Sequence, residues 1–207
     1  HIEFDTQAFV NQQPGWLRDY VAYVGGSNRS GAGVVDYVAM NFSISPRLLL
    51  ALLEYQTGAL SQASMPQYVD ERYPLGYEER DYRGVYLQLI WAANLLNNGY
   101  YSWRTGTLTT LHILDGTIEH PDPWQNAATV ALQYYFSQFE DALGYRQDIG
   151  PEGIARAYRD LFGDPWDGTQ VSVVQTFPSS QVRVPDPTHA PPEQVSTVVQ
   201  RLLSEQE

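Results

Sequence analysis

The stretch Ser45-Pro46-Arg47-Leu48-Leu49-Leu50-Ala51-Leu52-Leu53-Glu54-Tyr55-Gln56-Thr57-Gly58 writes both ends of one short helix. Ser45 is a good N-cap, Pro46 suits the first helical position, and Gly58 suits the left-handed residue that closes a helix. Leu48 to Leu53 are all apolar, so no face is reserved for water and the helix is expected to be buried on most sides. Glu54 then places a carboxylate in the last turn. Burial and the negative end of the helix dipole both oppose its ionised form, which is the condition for a general acid working near neutral pH. Solvation beside Tyr55 and Gln56, or pairing with an arginine, is the structural alternative for the same residue. Ala51, Thr57 and Gly58, at helical spacing from Glu54, are small enough to leave room for something to approach it.

Outward from this helix, Asp5 to Val24 predicts two short helices hinged at Pro14-Gly15, followed by a Gly/Ser/Asn loop over residues 25–31. Val34 to Met40 start another helix that delivers the chain to Ser45. Residues 61–77, with Pro66, Pro74 and Gly76, read as a long ordered loop. Glu79 to Leu96 carries an uninterrupted helical pattern that Asn97-Asn98-Gly99 is expected to end. Thr107 to His120 alternates around Asp115-Gly116, a two-residue hairpin signal. Asn126 to Leu143 predicts one apolar helix, and Pro151 to Phe162 a shorter amphipathic one.

The fold class is therefore mainly α, a helical domain over 1–167 with a small β-hairpin. A Pro-rich arm or linker follows over 168–193, and a short C-terminal helix over 194–207 has Val195, Val198, Val199, Leu202 and Leu203 on one face.

The chain has 207 residues, enough for one well-filled core. Its formal net charge is -12, and its twelve basic residues are all arginine. An acidic surface disfavours nucleic acid and anionic membranes, and the lack of Lys excludes Schiff-base chemistry and a P-loop. Without Cys there is no thiol nucleophile, thiolate metal site or disulfide framework. His1, His112, His120 and His189 lack metal-ligand spacing, so no metal or cofactor is expected. No apolar run approaches the roughly twenty residues that span a bilayer. A start at His1 without Met fits removal of a signal peptide or trimming, and a secreted, extracellular or cell-surface location is expected. Fifteen Tyr and five Trp suit both cores and the flat faces of sugars.

Taken together, an apolar helix that ends in Glu and closes on Gly, the flanking helices and the small hairpin resemble the lysozyme-like superfamily. The nearest analogies are lytic transglycosylases and bacterial N-acetylglucosaminidases, with Glu54-Tyr55-Gln56-Thr57-Gly58 standing for their shorter Glu-small-Gly turn. Gly84-Val85-Tyr86-Leu87-Gln88-Leu89 is similar to a transglycosylase Gly-x-Met-Gln-Leu motif, Pro74-Leu75-Gly76-Tyr77 to a glucosaminidase loop, and Tyr134-Tyr135 to the cleft tyrosine. More broadly, the domain resembles helical modules at the N-terminal side of secreted, multidomain cell-wall proteins. The resemblance implies a glycoside hydrolase or lytic transglycosylase acting on peptidoglycan, with Glu54 as general acid and Gln88, Tyr77, Tyr134 and Tyr135 facing the sugar. Glu78, Asp81 and Glu119 are then the candidates for a second carboxylate, and Asp115 reads as the turn residue. The alternative from another class is a non-catalytic surface or filament-forming protein. In it, residues 168–207 dock on a neighbouring copy as a homo-oligomer.

Overall fold

In the computed structural model, which describes residues 4–163, the helix written by Ser45 and Gly58 forms as α3, Pro46–Thr57. Gly58 adopts the left-handed conformation (φ 62°), and its N–H returns to the Glu54 carbonyl. A side chain at φ > 0 would be strained, which is why the sequence places glycine there. Ser45 precedes the helix without capping it through its side chain; the Leu48 and Leu49 N–H groups bond its backbone carbonyl instead. Leu48 to Leu53 are all buried, as an all-apolar run requires. Removing each of these leucine side chains from water contributes roughly 1.5–3 kcal/mol before conformational entropy is counted.

Before α3 the chain runs through α1, Thr6–Asn11, and a single 3-10 turn at Trp16–Arg18. An antiparallel hairpin follows, β1, Val21–Val24, paired with β2, Ser27–Ser30, in the register Val21↔Ser30 to Val24↔Ser27. The second of the two helices predicted before residue 24 is thus a strand. Gly25 and Gly26, both at positive φ, turn the chain between two four-residue strands, so a local turn overrides the helical spacing of the apolar residues. α2, Gly31–Phe42, starts at Ser30, whose hydroxyl accepts from the Gly33 N–H.

After the irregular stretch of residues 58–84, α4 spans Val85–Arg104. It does not stop at Asn97-Asn98-Gly99. Gly99 faces α5, Ala127–Ser137, where a Cβ would lie 2.8 Å from Tyr134 Cβ and 3.0 Å from Ala131 Cα. This glycine is a point of close helix–helix approach and not a terminator. A hairpin forms where expected, as β3, Leu111–His112, and β4, Ile118–Glu119, but its loop is longer than the two-residue turn expected of Asp115-Gly116: the Ile113 N–H bonds the Thr117 carbonyl, leaving residues 114–116 in the turn. The single helix predicted over 126–143 is two: α5 ends at Ser137, and Asp141 caps α6, Ala142–Asp148, by accepting from the Leu143 and Gly144 N–H groups. α7, Ile154–Phe162, closes the described chain.

The molecule is thus mainly helical with small hairpins. α4 packs along α5, while α3 packs against α7 and α2, and α2 also meets α4. The arm at 168–193 and the helix expected over 194–207 lie outside the described residues.

Candidate functional site

The last turn of α3 is a polar hub in an otherwise apolar helix, and each residue from 54 to 57 reaches a different part of the chain. Glu54 is half-exposed. Its Oε2 accepts from the Leu60 N–H at 2.7 Å and the Ser61 N–H at 3.2 Å, pinning the turn that follows the helix. Tyr55 donates its hydroxyl to Asp148 Oδ1 at 2.6 Å, across 93 residues of chain. Gln56 Oε1 accepts from the hydroxyl of fully buried Tyr135 at 3.0 Å. Thr57 is buried; its hydroxyl bonds the Leu53 carbonyl, and its own carbonyl accepts from Trp16 Nε1 at 3.2 Å. The buried surroundings expected for Glu54 are therefore found around its neighbours. The room expected from small Thr57 and Gly58 is likewise filled, since Gln62 packs over Gly58.

Beside this turn, Glu54 and Tyr55 face Glu152, Gly153, Arg156, Asp160 and Leu161 across a cleft of about 340 Å³. Arg156 bridges Glu152 at 2.7 Å and Asp160 at 3.5 Å, one helical turn to either side. On the other side of Tyr55, Asp148 and Glu140 form an acidic pair of unusual character. Burial pushes both carboxyls above their ordinary range; the Tyr55 bond opposes this at Asp148, while the Asp148 and Asp141 charges add to it at Glu140. Burial and the same two carboxylates, Asp148 and Glu140, push the Tyr55 hydroxyl up, so it remains a proton donor. This cluster can hold and share a proton. No group of three or more His, Asp or Glu side chains able to hold a metal occurs among the described residues.

Apart from Glu54, the residues implied by the resemblance do not line this cleft. Gln88 is completely buried on α4. Its Oε1 accepts from the Leu75 and Tyr77 N–H groups at 3.2 Å, and its Nε2 donates to the Tyr77 and Tyr82 carbonyls at 2.8 and 2.7 Å. That amide clamps the 73–82 loop to the helix. Tyr77 stacks on Trp91, with ring centroids 4.7 Å apart and planes 2° from parallel. Tyr135 is sealed among Trp91, Phe136 and Phe139, and Tyr134 is half-buried against Gly99. Glu78 and Asp81 are exposed, and Glu119 lies 4.0 Å from Arg146. Asp115 is the turn residue expected of it: it accepts from the Thr117 and Ala142 N–H groups, and these bonds hold its carboxyl below the usual range. The carboxylates next to the α3 turn are instead Asp148, which holds the Tyr55 hydroxyl, and Glu152 and Asp160, which line the cleft with Glu54. No local pattern marks Asp148, since its bond to Tyr55 spans 93 residues.

The model of the LasA N-terminal domain matches residues 1–176. The chain belongs to this family. The match is to a family other than the lysozyme-like superfamily that the motifs resemble, and it runs past the boundary expected at residue 167. No curated protein and no solved structure matches the chain.

Proposed function

We propose that this chain is a non-catalytic N-terminal domain of a secreted, cell-wall-acting protein. LasA is a secreted staphylolytic peptidase, and the matched family is its N-terminal domain. The family match supports an extracellular, cell-wall setting. The observation that carries the non-catalytic part is the use made of Glu54. One carboxylate oxygen is held by two backbone N–H groups, and Gln88, its supposed partner in sugar binding, has both ends of its amide spent inside the fold.

A second reading is favoured by the cleft that Glu54 lines. In it the domain cleaves β-1,4-linked aminosugar chains of peptidoglycan, with Glu54 as the general acid. Gln88, Tyr77, Tyr134 and Tyr135 would position the sugar, and Glu78, Asp81 or Glu119 would act as second carboxylate.

Incubating the protein and its Glu54→Gln variant with peptidoglycan separates the two. The non-catalytic reading expects neither protein to release reducing ends or anhydro-sugars. It also expects E54Q to melt like the parent, because a glutamine oxygen still accepts from both N–H groups. Glu54→Ala removes that acceptor and should cost about 1 kcal/mol. Sugar release by the parent that E54Q abolishes would overturn the reading.

A further inference from the structure

We propose that residues 169–177 of this chain dock along the open edge of β1 as a third strand, with Val171, Val173 and Phe177 beside Val21 and Tyr23. The proposal is independent of whether the domain is catalytic.

Strand β1 has a partner on one side only. The Gly31 N–H bonds the Tyr20 carbonyl, and Gly25-Gly26 make a two-residue turn between Val24 and Ser27, so Tyr20, Ala22 and Val24 carry the ladder to β2. The alternate residues, Val21 and Tyr23, therefore turn their N–H and C=O groups away from β2. Their side chains are 63% and 74% exposed, while Val24 is buried on the face that packs against α2. Open edges in native proteins are blunted by charge, proline or a bulge, or else they are covered. Val21-Ala22-Tyr23-Val24 has no charge, no proline and an unbroken register, which is the pattern of an edge that something covers.

Three observations select the occupant. The family match runs to residue 176, so the matched domain does not end with α7 at Phe162. Within the arm, Thr169-Gln170-Val171-Ser172-Val173-Val174-Gln175-Thr176-Phe177 has the composition of a strand: Val171, Val173 and Phe177 recur at even spacing, Thr169, Val174 and Thr176 add β-branched residues, and the first proline after Gly168 is Pro178. This segment is also uncharged, so it meets none of the repulsion that a second copy with net charge -12 would bring to the same edge. Finally, the exit from α7 is close. The Phe162 ring lies 5.0 Å from that of Phe9 on α1, and Gln7 of α1 accepts from the hydroxyl of Ser30, the residue opposite Val21. Extended, residues 164–168 reach about 17 Å, enough to pass a helix of six residues about 9 Å long. Leu114, Ile118 and Leu143 are exposed too, but they lie on the two-residue ladder of β3 and β4 and on α6, which offer no comparable row of open backbone groups.

The chain has no cysteine, so disulfide trapping in the full chain reads the placement directly. Tyr23→Cys is combined in turn with Val171→Cys, Ser172→Cys, Val173→Cys or Val174→Cys, and disulfide formation within one chain is followed by mass under mild oxidation. Because alternate residues of a strand face opposite sides, Val171→Cys and Val173→Cys should be captured about tenfold faster than Ser172→Cys and Val174→Cys. Tyr23→Cys alone should melt like the parent, since the side chain it replaces is exposed. Absence of a disulfide within the chain, or rates that do not alternate along the segment, overturns the proposal. So does faster capture of Val173→Cys by Leu114→Cys than by Tyr23→Cys, which places the segment on β3 and β4. A disulfide formed between chains overturns it as well, by making a second copy the occupant.

Discussion

Asp148 shows how one residue turns burial into pH dependence. It is 9% exposed, bonded by Tyr55 and close enough to Glu140 for their charges to interact, with the Tyr135 hydroxyl also feeling both carboxylates. Its folded-state carboxyl titrates above its unfolded value because desolvation outweighs the Tyr55 bond. A group raised in this way contributes stability that is fully present below the unfolded value and is lost as pH rises through the folded one. Wherever this carboxyl is ionised in the folded state, its charge is therefore a burden. Asp148→Asn keeps an oxygen for Tyr55 and removes that burden. The variant should melt about 2–4 °C above the parent at pH 7, as expected for ~1 kcal/mol in a domain of this size. The gap should close as pH falls to the range where the parent's carboxyl is protonated. Paired thermal melts across pH check this, and a gap that does not change with pH would refute it.

At the scale of elements, the crossing of α4 and α5 depends on Gly99. An alanine there gains helix propensity of about 1 kcal/mol. Its methyl group would overlap Tyr134 Cβ and crowd the Ala131 backbone, neither of which is the far end of a flexible side chain. Overpacking of this kind costs about 1–3 kcal/mol, so Gly99→Ala should be net destabilising by roughly 1 kcal/mol. A denaturant midpoint equal to or above the parent's would show that the helices can separate freely. The same glycine explains why the end of α4 was not legible locally. Asn97-Asn98-Gly99 reads as a stop from its own composition, and only the helix packed against it shows why the turn continues. α3 is the opposite case. Its cap, its apolar body and its closing glycine all lie within fourteen residues, so its bounds could be read directly.

For the whole molecule, the ends of the described chain are joined by aromatic contacts. Phe162 at the end of α7 lies 5.6 Å from the Phe4 ring and 5.0 Å from Phe9, and the Arg47 guanidinium sits 4.6 Å from the Phe4 ring. The two ends of the described residues pack on each other, so removing residues 168–207 is expected to leave the far-ultraviolet circular dichroism per helical residue and the melting temperature essentially unchanged. Should the surface-assembly alternative apply, the same truncation would lower the mass by light scattering; equal masses would count against docking through residues 168–207. A large loss of melting temperature would instead place part of the core beyond residue 167.

Composition and local pattern by themselves determined a mainly helical domain, the bounds of α3, the end of α7 and a hairpin about Asp115-Gly116, because those signals act over a single turn or a few turns of chain. They also located the carboxylate of Glu54. What that carboxylate touches was settled by tertiary structure alone. The Leu60 and Ser61 N–H groups that hold it, the Asp148 that meets its neighbour Tyr55, and the loop that consumes Gln88 are brought in by the path of the chain. Motif spacing carries no record of those neighbours, since desolvation and hydrogen bonding depend on what packs against a side chain and not on what precedes it in sequence.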